Sequence, residues 1–169
     1  EDRQFPGHWE GDLIKGAGNA SAVGTLVERT SRLVMLVKLP QFKPASAANV
    51  LQAFTDKLLG IAQPMRLSMT YDQGREMSMH KKLSEQTGIA VYFCDPHSPW
   101  QRGSNENMNG LVRQYLPKGT DLSIYSQEQL DAIADEINNR PRKGLGIRSP
   151  LAVYRELLIN NPQHSTLIH

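Results

Sequence analysis

The sequence predicts an α/β domain built on a five-stranded mixed sheet, three antiparallel strands followed by two parallel ones, with helices on both faces. Three observations predict it. Residues 8–15, 22–28 and 32–39 are short runs rich in Val, Leu and Thr with only brief turns between them, which is the pattern of an antiparallel meander. After Pro40 and Pro44 the apolar spacing changes from two to about 3.6 residues, and helical stretches then separate two further short apolar runs, 65–71 and 89–93. Strands joined by helical crossovers lie parallel and are covered on both sides.

The elements follow in order. In the first strand Trp9 and Leu13 face one side while Glu10 and Asp12 face the other. Gly16 and Gly18 turn the chain, a hairpin use far commoner than a phosphate cradle. A helix over 45–59 buries Ala47, Val50, Leu51, Phe54 and Leu58. In 65–71, Leu67, Met69 and Tyr71 alternate with Ser68 and Thr70, so Asp72 stands at that strand's carboxyl end. A helix over 77–87 stops near Gly88, and 89–93 is the fifth strand. Ser126 and Gln129 form a capping box ahead of a helix whose apolar face is Leu130, Ile133, Ala134 and Ile137. A short helix over 151–158 closes the domain, 1–159, and 160–169 is expected to be a mobile tail. At 169 residues, with no repeat and no linker, one domain is expected.

The richest stretch is 95–113. It begins as a loop held extended by Pro96 and Pro99, because a residue before proline is pushed out of the helical region. It then becomes a helix with Met108, Leu111, Val112, Tyr115 and Leu116 on one face. Glu106, Asn109, Gly110 and Arg113 share the opposite face.

Composition narrows the field. A formal net charge of +2 and a pI near 8.8 permit a nucleic-acid partner without requiring one. Any such contact has to use local groups such as Arg140, Arg142, Lys143 and Arg148. Cys94 is the only cysteine, so no internal disulfide forms. There is no signal peptide and no apolar run of membrane-spanning length, so a cytoplasmic protein with no membrane partner is expected. The charged start at Glu1, without an initiator methionine, reads as an excised domain or a processed product.

The order of elements resembles the ribonuclease-H-like fold, in which the first strand lies centrally beside the fourth. In such a sheet Asp12 and Asp72 become neighbours, and the helix that follows Arg102 brings Glu106 over the same spot. Three crowded carboxylates repel one another, and a hard divalent cation removes that cost. Mg²⁺, with Mn²⁺ as a substitute, suits carboxylates, waters and a phosphate oxygen; two ions about 4 Å apart would serve phosphoryl transfer. With 17 acidic residues in the chain, an Asp–Asp–Glu triple is not specific by itself.

The flanking motifs supply that specificity. They are Gly7-His8-Trp9-Glu10-Gly11-Asp12-Leu13-Ile14, Thr70-Tyr71-Asp72-Gln73-Gly74-Arg75-Glu76 and Ser98-Pro99-Trp100-Gln101-Arg102-Gly103-Ser104-Asn105-Glu106. Tyr92-Phe93-Cys94-Asp95-Pro96 and Asn138-Asn139-Arg140-Pro141-Arg142-Lys143 accompany them. Together they resemble the catalytic core of bacterial DDE transposases of the insertion-sequence-thirty family, relatives of retroviral integrase cores, from about Gly7 to Leu157. The resemblance implies that Asp12, Asp72 and Glu106 bind the catalytic metals. It also implies cleavage of transposon ends by water, then attack of the freed 3′-hydroxyl on target double-stranded DNA, with homo-oligomers forming on that DNA. An upstream helix-turn-helix region goes with the family.

Other residues receive lesser roles. Arg102, Asn109, Arg113, Lys118, Arg142 and Lys143 are candidate DNA contacts. Glu10 either supports the metal site from behind Asp12 or is a strand-edge carboxylate, with the edge reading slightly favoured. Trp100 is read as a loop anchor before a base-stacking residue. Cys94 with His97 is poor evidence for zinc without a second pair. His8 is read as packed or hydrogen-bonded. Two alternatives remain beside the transposase reading, a nuclease of the same fold without strand transfer and a non-catalytic DNA-binding or assembly module.

Overall fold

The computed structural model describes residues 5–39, 47–71, 80–93 and 103–160, with the side chains of 47–48 and 103–106 outside the description. Strand β1 (His8–Lys15), β2 (Ala22–Glu28) and β3 (Val34–Lys38) form the antiparallel meander. Helix α1 (Ala47–Leu59) crosses to β4 (Ser68–Tyr71), and α2 (His80–Thr87) crosses to β5 (Ala90–Phe93). Both β4 and β5 run parallel to β1, giving the order β3-β2-β1-β4-β5 with β1 at the centre. Then come α3 (Gly103–Val112), α4 (Gln127–Asn138) and α5 (Pro150–Asn160).

The predicted sheet and its two helical layers are therefore present. Because successive strand residues point to opposite sides, the sheet carries two cores. On one side Trp9, Leu26, Val37 and Met69 pack against Val50, Phe54 and Leu58 of α1, with Tyr154 of α5 joining them. The Trp9 indole donates to the Met65 carbonyl at 2.8 Å, so this wholly buried ring keeps its polar atom paired. On the other side Ile14, Val23, Val27 and Leu36 meet Met108 and Val112 of α3 and Leu130, Ala134 and Ile137 of α4. The capping box at Ser126 and Gln129 starts α4 as the sequence predicts.

Some boundaries shift for local reasons. The fourth strand begins at Ser68, because Gln63–Met65 forms a 3₁₀ turn around Pro64. The third begins at Val34, since Arg32 sits at φ +64° in the turn. Helix α3 ends at Val112, so Arg113 lies in the following turn instead of on the helix face. The expected tail, apart from Asn160, lies outside the described residues, as do Cys94, His97 and Trp100.

The outer edge of the sheet at β3 is sealed. Asn138 of α4 donates to the Val34 carbonyl and accepts from the Val34 N–H, both at 2.9 Å. Gln127, one helix length away, donates to the Leu36 carbonyl and accepts from the Lys38 N–H, both at 2.8 Å. Two amide side chains thus stand where a sixth strand's backbone would stand, which disarms an exposed edge.

Candidate active site

Asp12 lies in the second half of β1 on the α3 side of the sheet, half-buried. One of its oxygens, Oδ1, accepts the backbone N–H of Leu13 at 2.8 Å. The other, Oδ2, accepts from Nδ2 of Asn109 at 3.1 Å. This bond ties α3 to β1 at the residue the sequence singled out. Oδ1 of Asn109 is shielded from solvent and has no hydrogen-bond partner among the described residues. A buried carbonyl oxygen left without a donor costs free energy unless a ligand supplies one. Glu106 stands one turn before Asn109 on the same helix, its side chain outside the description.

The parallel pairing of β1 with β4 sets the third element. Gly11 pairs with Tyr71, so the residues immediately before Asp12 and Asp72 are side by side. Gly11 suits that place: a Cβ would stand 3.0 Å from a Tyr71 ring carbon, a tight approach that the ring would have to yield to. Asp72 itself falls just past the described part of β4. No group of three metal-ligating side chains occurs among the described residues, two of the three expected acids being outside them.

Glu10 shares the Asp12 side of β1, as alternation requires, but it is no edge carboxylate. Strand β1 is central, Glu10 is 1% exposed, and the Arg29 guanidinium approaches it at 3.4 Å. The slight preference for an edge role is corrected on that ground. Alternation alone reveals which side a residue faces, never whether its strand has neighbours on both flanks. His8 hydrogen-bonds Ser68 through Nδ1 at 2.6 Å, in keeping with a packed role.

The candidate DNA contacts separate into groups. Asn109 is at the site. Arg113 turns back on the protein, donating to the Lys15 carbonyl at 3.0 Å and the Leu116 carbonyl at 3.4 Å, and burial lowers its pKa. It fastens the end of α3 to the end of β1. Lys118 is exposed in the turn beyond. Arg142 and Lys143 lie past the end of α4, and Arg102 is outside the described residues. Asn109 as a partner of Asp12, and Asn138 as an edge seal, went unread in the sequence, since an amide leaves no periodic signal.

Comparison with known proteins agrees with this layout. Residues 2–99 match the family model described as integrase core domain. The chain is 66% identical over 159 residues, 94% of its length, to the transposase for insertion sequence element IS1086 of Cupriavidus metallidurans, covering 46% of that protein. It is 49% identical over 150 residues, 89% of its length, to transposase InsI for insertion sequence element IS30A of Escherichia coli K12, covering 38% of it. The chain thus spans less than half the length of these two relatives. Among solved structures, the catalytic core domain of BIV integrase superposes with a TM-score of 0.62 at 21% identity, over 89% of this chain and 94% of that one. That likeness establishes the ribonuclease-H-like fold.

Proposed function

The chain belongs to the integrase core domain family, and from that premise we propose that it is the catalytic core of a DDE transposase, cutting and rejoining double-stranded DNA. The observation that carries the reading is the hydrogen bond from Asn109 to Asp12. It ties the Glu106-bearing helix to β1, which runs beside the strand that leads toward Asp72, and this supports the reading that the three acids act at one place.

Asp12, Asp72 and Glu106 are the proposed holders of two divalent cations, Mg²⁺ or Mn²⁺. The donor set fits: half-buried carboxylate oxygen at Asp12 and an undonated amide oxygen at Asn109 are hard ligands or water acceptors, with no sulfur among them. A bound divalent cation supplies Lewis-acid polarisation of a phosphate oxygen and a more acidic attacking water. The protein's own part is placement. Asn109 fixes the Asp12 rotamer, Gly11 lets Tyr71 pack so that β4 keeps its register, and Arg113 locks α3 in position. In the first step water attacks a phosphorus at the transposon end, leaving a 3′-hydroxyl and a 5′-phosphate. In the second that hydroxyl attacks a target phosphodiester; one ester replaces another, so no external energy source is required.

Whole-protein features stay within the proposal: terminal-repeat recognition by an upstream region, and oligomers on paired ends. No helix among the described residues is long and apolar enough to cross a membrane. A cytoplasmic setting, on DNA, is part of the same proposal. A duplex carrying a pre-cut 3′-hydroxyl end, incubated in Mg²⁺ with target DNA, should give joined products. Hydrolysis without joining would point instead to a nuclease of the same fold.

A further inference from the structure

The turn between β2 and β3 and the loop after α4 bring two arginines together at the end of the sheet where β1 begins. Arg32, at φ +64°, lays its guanidinium over Gly144: three of its atoms lie 3.2–3.3 Å from where a Cβ of residue 144 would stand. A side chain at 144 would push that guanidinium aside by a few tenths of an ångström. Burial, and after it the charge of nearby Arg32, lowers the Arg142 pKa. Nη1 of Arg142 is shielded from solvent and has no hydrogen-bond partner among the described residues.

The loop holding these groups is stiff. The Arg142 N–H donates to the Arg148 carbonyl at 3.0 Å, and the Ile147 N–H donates to the Arg142 carbonyl at 2.9 Å. Arg148 is committed to Glu156, whereas neither Arg32 nor Arg142 pairs with a carboxylate among the described residues. Exposed Lys143 and Arg140 flank the pair. Two guanidinium groups held together, one with a desolvated N–H, are costly unless an anion completes them. Planar forked donors match a phosphate's oxygens.

We propose that Arg32 and Arg142 form a phosphate clamp for the DNA backbone, separate from the catalytic acids. The clamp rests on the reading of DNA as substrate. The β2–β3 turn stands beside His8 through the Arg29-to-His8 backbone bond. Strand rise then puts the clamp on the order of 15 Å from Asp12. Four or five nucleotides of one strand cover that span at about 3.4 Å each. One duplex can therefore touch both places, the clamp contributing position and no chemistry.

The test is duplex binding by fluorescence anisotropy across a salt series without divalent metal, using the parent chain, Arg142→Gln, Arg32→Gln and Arg148→Gln. Either clamp variant should bind about tenfold more weakly, and its log–log salt slope should fall by about one unit. Arg148→Gln, which removes the same charge from a guanidinium already paired, should lose much less. Gly144→Ala, which keeps every charge and displaces the Arg32 guanidinium slightly, should weaken binding to a lesser degree, and melting curves of the clamp variants should match the parent's. Unchanged affinity and slope in the clamp variants would overturn the clamp alone, as would an equal loss in Arg148→Gln. A parent chain that binds no duplex would overturn the clamp and the DNA reading together.

Discussion

Glu28 and Asp12 are carboxylates on adjoining central strands, yet their surroundings are opposite. Glu28 is fully buried and accepts three backbone N–H groups, from Gly7 and Thr30 at 3.2 Å and from Ser31 at 2.8 Å. Asp12 is half-buried, with its neighbour's N–H on one oxygen and the Asn109 amide on the other. Two asparagines repeat the contrast. Asn138 uses both ends of its amide on Val34, while Asn109 uses only Nδ2 and leaves a shielded oxygen over. Glu28 and Asn138 thus spend their polar atoms on the protein's own backbone and serve the fold. At Asn109 the protein leaves valence unfilled, and that is where a ligand is expected.

The largest effect that could break this contrast is at Asp12. Asp12→Asn should cut DNA cleavage and joining by about 1,000-fold or more, roughly 4 kcal/mol of barrier. Its melting temperature should stay near the parent's. Activity within tenfold of the parent would remove Asp12 from the chemistry. Glu28→Gln should behave in the reverse sense, losing about 2–3 kcal/mol of stability as three N–H groups lose a charged acceptor. Chemical denaturation would read this, with activity per folded molecule unchanged.

The asparagines sharpen the comparison at smaller scale. Asn138→Ala should cost about 2 kcal/mol by uncovering the Val34 backbone, with little change in rate. Asn109→Ala should scarcely move the melting curve but slow DNA joining by about 10- to 100-fold, the usual cost of losing a group that orients a ligand. If both variants lost stability alone, the distinction between the two asparagines would fail.

The smallest effect is at high pH. Burial, and then the Glu28 charge, raises the Tyr154 phenol from 10.0 to about 12. Between those values the unfolded chain has lost that proton and the folded chain keeps it, so stability declines as pH rises. Thermal melts from pH 9 to 12 should show an alkaline decline that is shallower in Tyr154→Phe. In Glu28→Gln the decline should begin at the same pH but level off sooner and total less, because one of the two causes holding the folded-state phenol neutral is gone.

Much of this molecule is legible in its amino-acid order. The alternation of Trp9, Glu10, Leu13 and Asp12 gives both faces of β1, and Leu130, Ala134 and Ile137 mark the buried face of α4. The end of α3 was less so: Met108, Val112 and Leu116 keep helical spacing, but the chain leaves the helix after Val112 while the Leu116 N–H still reaches the Val112 carbonyl. Apolar spacing reports which side is buried and does not see a tightened last turn. Contacts between distant positions left no trace at all. Nothing local to Arg32 announces Gly144, and nothing near Asn138 announces Val34.

The two amides along β3 also limit how copies of this domain can join. To lengthen the sheet from that side, an incoming chain would first have to strip Gln127 and Asn138 from four backbone groups. A complex that forms across this flank must therefore use side-chain surfaces, and the flank itself stays inert toward strand addition.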